Sequence, residues 1–103
     1  MDVLSEIMRN LVLNGVNIRG KKITVLGAGG AGSAVIAQAS LDGVSKIDVF
    51  NRKDEFYKSA EELIDRIHDH GSSCEINLFD LDEEDQLAAS ISESVLVVNA
   101  TNV

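Results

Sequence analysis

Three features are scarce in this sequence of 103 residues: cysteine, basic residues and long apolar runs. A single cysteine, Cys74, cannot form a disulfide within the chain, so a reducing cytoplasm is the expected location. Lys and Arg number 9 against 17 Asp and Glu, and the formal net charge of −8 argues against a nucleic-acid partner. The sequence contains no apolar run long enough to cross a membrane and no pattern of a signal peptide.

What remains is the composition of an ordinary globular domain. Apolar residues make up 45% of the chain and charged residues 25%, which is typical of such domains. The length predicts a single domain over residues 1–103, with a leading helix and connection over 1–20 and a core over 21–103. Within residues 3–14 apolar side chains recur at helical spacing, and Gly15 follows as a candidate C-cap.

Beyond residue 20, apolar strand patterns alternate with helical patterns. The predicted strands lie at 21–28, 46–51, 74–80 and 95–100, and the predicted helices at 31–42, 54–70 and 82–92. Alternation at this spacing indicates βαβ units and a parallel sheet. Right-handed crossovers favour the strand order 3-2-1-4 with helices on both faces, which is an α/β, Rossmann-like fold. Two finer predictions are Phe56 on the inner face of its helix and Asp82 as an N-cap.

The densest glycine cluster follows the first predicted strand directly. Residues 25–34 read VLGAGGAGSA, and Gly27, Gly29 and Gly32 have the G-x-G-x-x-G spacing. In this spacing the first glycine permits the turn, the second lets a pyrophosphate approach the backbone, and the third lets helix and strand pack closely. A strand before the loop and a helix after it are the context in which the motif binds a dinucleotide. The alternative is a tight strand–helix turn that binds no ligand.

The second predicted strand ends in FNRKDEF, residues 50–56, where such folds meet the adenine-side ribose. Asn51 takes the place of the acidic residue that accepts a bond from the ribose 2′-hydroxyl. Arg52 suits the 2′-phosphate of NADP, whereas Asp54 suits the ribose hydroxyls of NAD. Asp54 is equally a candidate N-cap of the helix that begins there. The cofactor therefore stays open between NAD and NADP.

Three segments together resemble the C-terminal, cofactor-binding domain of shikimate dehydrogenases, in particular the quinate/shikimate dehydrogenase branch. They are GKKITVLGAGGAGSA at 20–34, FNRKDEF at 50–56 and NATNV at 99–103. The resemblance covers nearly the whole chain, and the three segments together are far more specific than the glycine loop alone.

The resemblance implies a role for each matching position. The loop residues that would hold the pyrophosphate are Gly27, Ala28, Gly29, Gly30, Ala31 and Gly32. The positions around the ribose and adenine are Asn51, Arg52, Asp54 and Phe56, and those near the nicotinamide are Thr101 and Asn102.

The resemblance also implies what this chain does not supply. Members of the family transfer hydride between NAD(P) and shikimate or quinate, and their catalytic Lys–Asp pair comes from a separate N-terminal substrate domain. That domain has no counterpart here, so no catalytic residue is predicted, and the chain alone is expected to bind nucleotide without turnover. Lys21 and Lys22 do not replace the pair, because they lie at the N-terminal end of the first strand, away from the ligand-binding ends. The alternatives are a standalone nucleotide-sensing module and a different dehydrogenase or reductase.

Other chemistry-bearing residues favour structural roles. His68 and His70 lie two apart on a helix, where side chains diverge, so no metal site is predicted. Cys74 is typical of a buried thiol. The acidic run DLDEEDQ at 80–86 lacks the central glycine and closing glutamate of a calcium loop.

The fourth predicted strand, VLVVNA at 95–100, is apolar on both faces although the order 3-2-1-4 makes it an edge. Exposed apolar edges recruit other chains. Self-association through this strand, or marginal stability, is therefore expected.

Overall fold

A computed structural model of the chain describes residues 18–101. These residues form β1 (Lys22–Leu26), α1 (Gly30–Leu41), β2 (Lys46–Asn51), α2 (Glu55–Asp69), β3 (Glu75–Asp80), α3 (Glu84–Glu93) and β4 (Leu96–Asn99). Every element predicted beyond residue 20 is present, with ends shifted by at most two residues. The predicted leading helix over 3–14, Gly15 and Asn102 lie outside the described residues. No helix in the described range is both long and apolar enough to cross a membrane.

The four strands form one parallel sheet in the order β3-β2-β1-β4. Ile23 of β1 lies opposite Ile47 of β2 on one side and opposite Leu96 of β4 on the other. Because all strands run the same way, their carboxyl ends meet at one edge of the sheet. The predicted α/β, Rossmann-like fold and its strand order are confirmed.

One face of the sheet carries the apolar core. Side chains alternate between the two faces of a strand, and the core side of β1 and β2 holds Ile23, Val25, Ile47 and Val49, each at most 1% exposed. The helices α1 and α2 cover this face. Burying one such side chain contributes about 1.5–3 kcal/mol, so this face supplies most of the hydrophobic stabilisation.

The opposite face carries a polar layer, defined here as Lys22, Asp48, Asn77, Ser90 and Glu93. Asp48 is 1% exposed, and its carboxylate accepts hydrogen bonds from Ser90 of α3 and from Asn77 of β3, the latter at 3.1 Å. The Nζ of Lys22 lies 2.9 Å from the carboxylate of Asp48 and 2.8 Å from that of Glu93. These bonds hold α3 against the sheet, so helices lie on both faces as predicted.

The carboxylate of Asp48 is stabilised in its charged form inside this layer. Burial by itself would raise the pKa of Asp48, but the hydrogen bonds from Ser90, Lys22 and Asn77 outweigh burial and lower the pKa below its ordinary value. In the same way, bonds to Glu93 and Asp48 outweigh burial and raise the pKa of Lys22.

Two predicted details of the helices are wrong. The N-cap of α3 is Glu83 rather than Asp82, because the N–H of Asp82 donates to the carboxylate of Asp80 at 3.1 Å and the helix begins after that turn. Phe56 is 44% exposed; it lies in the first turn of α2, directly after the cap at Asp54, and the buried side of the helix begins further along. Ala60, one turn later, is fully buried.

Candidate functional site

The glycine loop turns sharply at the carboxyl end of β1. Gly27 has a φ of +96°, which L side chains rarely adopt. Its N–H donates to the carbonyl oxygen of Phe50 at 2.8 Å. A Cβ on Gly27 would lie 3.1 Å from both the carbonyl carbon of Ala100 and the amide nitrogen of Thr101. Both the backbone angle and the packing of the chain after β4 therefore require glycine here.

Gly32 lies where the first turn of α1 crosses back over the loop. A Cβ on Gly32 would overlap the carbonyl oxygen of Gly27. Gly32 is also buried, so a larger residue would push α1 away from β1. This contact is the close helix–strand packing expected of the third glycine in the motif.

Gly29 and Gly30 differ from these two, because nothing in the described protein requires them to be small. A Cβ on either would have no heavy atom within 4 Å. The backbone N–H groups from Gly29 to Gly32 have no partner among the described residues, since the first N–H to bond back is that of Ser33, to the Gly29 carbonyl at 2.8 Å. Such N–H groups at a helix N-terminus attract anions, and the first turn of α1 contains no acidic residue.

Asn51, the last residue of β2, joins the loop to the start of α2. It is 7% exposed. Its Oδ1 accepts the N–H of Ala28 at 3.0 Å. Its Nδ2 donates to the carbonyl oxygen of Arg52 at 2.8 Å and to Oδ1 of Asp54 at 3.0 Å. The N–H of Ala28 is therefore bound within the protein, whereas those of the next four loop residues have no partner in the part of the chain that the structure describes.

Asp54 is the N-cap of α2. Its Oδ1 accepts the N–H of Phe56 at 2.9 Å, which is the bond that defines this cap. Its Oδ2 has no partner within residues 18–101, and the residue is exposed. The capping interpretation is confirmed.

Arg52 and Lys53 bring positive charge to the same edge, and both are exposed. The Nζ of Lys53 lies 5.7 Å from the ring centroid of Tyr57, within cation–π range. The guanidinium of Arg52 has no hydrogen bond or ion pair with the described residues. It is therefore in a position to receive an anion.

The chain after β4 closes the other side of the loop. The N–H of Ala100 donates to the carbonyl oxygen of Leu26 at 2.8 Å. The N–H and hydroxyl of Thr101 donate to Oδ1 of Asn99 at 3.1 Å and 2.6 Å. Asn99 is missing from the predicted site residues, although its position at the end of a strand is the same signal that identifies Asn51.

The structure thus brings the loop, the end of β2 and the end of β4 to the carboxyl edge of the sheet. Open α/β sheets bind ligands at this edge. Lys22 lies at the opposite end of β1 and is engaged in the polar layer.

No family model matches the chain. The chain is similar to shikimate dehydrogenase (NADP(+)) from Listeria monocytogenes serotype 4b, with 48% identity over 96 residues. It is also similar to the protein of the same name from Streptococcus uberis, with 36% identity over 96 residues. Each match covers 93% of this chain but only 33% and 32% of the relatives. The chain therefore spans about one third of the length of these curated relatives.

Two solved structures are similar to this chain over nearly its whole length. A crystal structure of shikimate 5-dehydrogenase from Listeria monocytogenes, in complex with shikimate and NAD, matches with a TM-score of 0.89 and 46% identity. That match covers 97% of this chain and 34% of the other. Quinate dehydrogenase from Corynebacterium glutamicum, in complex with NAD, matches with a TM-score of 0.70 and 23% identity over 95% of this chain and 33% of the other. The Listeria structure is therefore similar to this chain in both sequence and fold, whereas the Corynebacterium structure shows similarity of the fold alone.

Proposed function

Because the chain is homologous to shikimate dehydrogenases along one third of their length, we propose that it binds a nicotinamide dinucleotide at the carboxyl edge of its sheet. The observation that carries this proposal is the row of N–H groups from Gly29 to Gly32, which have no partner among the described residues. Next to them, a Cβ on Gly29 or Gly30 would have no heavy atom within 4 Å. A pyrophosphate placed there would accept these N–H groups and lie at the positive end of the α1 dipole.

The ribose side of the proposed site suits both NAD and NADP. The guanidinium of Arg52 and the Oδ2 of Asp54 have no partner within residues 18–101. The guanidinium would bind a 2′-phosphate, and the Oδ2 would accept a ribose hydroxyl. Phe56, which is 44% exposed, would offer an apolar surface to the adenine. Thr101 would lie near the nicotinamide, together with Asn102 outside the described residues.

In a whole enzyme this part would present the nicotinamide for hydride transfer with shikimate or quinate. The family resemblance assigns the catalytic Lys–Asp pair to another domain, so the chain by itself would bind without turnover. Incubation with shikimate and NAD or NADP should yield no reduced nicotinamide. Turnover at an enzyme's rate would contradict this part of the proposal.

Calorimetric titration with NAD and NADP tests the binding site, with Gly29→Ala compared against Gly71→Ala. Neither added methyl would meet a protein atom within 4 Å. Gly29→Ala places its methyl where the pyrophosphate approaches, so both affinities should fall by at least about tenfold, or about 1.4 kcal/mol. Gly71 follows α2 at the opposite edge with a φ of +92°, so Gly71→Ala should lower the melting temperature and leave both affinities unchanged. Unaltered binding by Gly29→Ala would contradict the proposed site.

Arg52→Ala tests the 2′-phosphate position in the same titration. The variant should lose affinity for NADP and keep its affinity for NAD, because only NADP carries the phosphate. If NADP binding is spared, Arg52 does not bind the 2′-phosphate.

A further part of the proposal is self-association through β4, a strand at the side of the sheet. Among the described strands β4 lies at one edge, and Val95 and Val97 are 49% and 38% exposed there. An apolar edge of this kind would pair with another strand, so the isolated chain should self-associate. Light scattering at increasing concentration checks this, and a monodisperse monomer with a high melting temperature would contradict it.

A further inference from the structure

The side chain of Asn51 is occupied in a way that differs from the role the family resemblance implies. Both hydrogens of its amide are used within the protein, on the Arg52 carbonyl at 2.8 Å and on Asp54 Oδ1 at 3.0 Å. Its Oδ1 accepts the N–H of Ala28 at 3.0 Å. Asn51 is only 7% exposed. It therefore has no donor left for a ribose or a phosphate.

Asp54 is held by two bonds on one oxygen. Its Oδ1 accepts the Asn51 amide at 3.0 Å and the N–H of Phe56 at 2.9 Å. Two bonds to the same oxygen restrict rotation of the carboxylate and leave Oδ2 without a partner in the described part of the chain. The negative charge of Asp54 is therefore fixed in place on an exposed edge, two residues from Arg52, whose guanidinium has no partner among the described residues.

We propose that Asn51 is a positioning residue that sets the preference between NAD and NADP through Asp54, rather than a ligand of the nucleotide. A carboxylate held in place accepts a bond from a ribose 2′-hydroxyl and repels a 2′-phosphate. Without the Asn51 amide, the carboxylate regains rotational freedom, and both effects weaken. This inference rests on the proposed function, because it concerns the same site.

A second bond of Asn51 acts in a different way. By holding the N–H of Ala28, the amide fixes the start of the loop that would bind the pyrophosphate. The pyrophosphate is common to NAD and NADP, so loss of this bond should weaken both equally. The ratio of the two dissociation constants therefore isolates the effect that passes through Asp54.

A double-mutant cycle on the full chain tests the proposal, using Asn51→Ala, Asp54→Ser and the combined variant. Serine is a good N-cap, so Asp54→Ser removes the carboxylate while retaining the cap. The readout is the ratio of the dissociation constant for NADP to that for NAD, measured by calorimetry. Should Asn51→Ala not fold, Asn51→Ser takes its place, because its hydroxyl does not reach as far as the amide.

Each single variant should lower this ratio by about threefold to tenfold, and the combined variant should match Asp54→Ser alone, since residues acting as a unit are not additive. Two outcomes would overturn the proposal. One is a combined variant whose ratio falls by the product of the two single reductions, and the other is an unchanged ratio in Asn51→Ala. If the unaltered chain binds neither dinucleotide, the proposed function fails and this inference fails with it, whereas binding with an unchanged ratio contradicts the inference alone.

Asn77→Ala is the matched control. Its amide also donates to an aspartate, Asp48 Oδ1 at 3.1 Å, but within the polar layer. The control should lower stability and leave the NADP-to-NAD ratio unchanged. A shift in this ratio equal to that of Asn51→Ala would show that general destabilisation moves it, which would overturn the proposal.

Discussion

Asp48 and Asp54 lie on and just beyond the same strand, and each receives a hydrogen bond from an asparagine amide. Asp48 is 1% exposed, and both of its oxygens are bonded. Asp54 is exposed, and one of its oxygens has no partner among the described residues. The same chemical group is closed to ligands in the first case and open in the second. The difference separates a carboxylate that holds the fold together from one that suits a binding site.

Removal of the Asp48 carboxylate should have the largest effect on stability. Asp48→Ala leaves Lys22, whose side chain is 12% exposed, without its buried partner, and leaves Ser90 without its acceptor. Breaking a buried ion pair on one side destabilises by about 3–5 kcal/mol. Urea unfolding measures this loss. A loss below about 1 kcal/mol, the range of exposed ion pairs, would show that the polar layer contributes little.

Acid should weaken the stabilisation by Asp48, with a smaller effect than removal of its carboxylate. Because the pKa of Asp48 is lower in the folded chain than its ordinary value of about 4, its stabilisation is complete above pH 4. It is lost as the pH falls through the lower folded pKa, because the unfolded chain takes up the proton first. Asp48→Asn should therefore flatten the acid side of the stability profile relative to the unaltered chain. An equal slope in Asp48→Asn and in the unaltered chain would contradict the role assigned to Asp48.

The smallest effect is expected at Asp54. Asp54→Ala removes an N-cap and should lower the free energy of unfolding by about 1 kcal/mol, whereas Asp54→Ser should restore most of that loss. Urea unfolding of both variants checks this order. If serine restores nothing, the bond to the Phe56 N–H is not what stabilises the start of α2.

Local patterns were sufficient to predict much of the molecule. Alternating apolar segments predict the strands, their order and both layers of helices. The spacing of Gly27 and Gly32 predicts their packing roles, because the turn and the helix start depend on neighbouring backbone. The N-cap at Asp54 is predictable for the same reason, since it involves residues two positions away.

The polar layer could not be predicted in the same way. Asp48 meets Ser90 and Asn77 only after the sheet and α3 have assembled, since these partners lie 42 and 29 positions away. The hydrogen bond from the N–H of Ala28 to Asn51 spans 23 positions, so it could not be predicted from the local sequence either. Phe56 was misplaced because helical periodicity predicts which side of a helix is apolar, but not at which turn that side becomes buried.

The central claim is that the open N–H groups of the glycine loop receive a pyrophosphate. Nuclear magnetic resonance spectra of the backbone amides, recorded while NAD is added, test this claim directly. The amide signals of Gly29, Gly30, Ala31 and Gly32 should shift most, while that of Gly71, at the opposite edge of the sheet, should stay in place. Shifts that are largest around Gly71, or absent from the loop at saturating NAD, would contradict the claim.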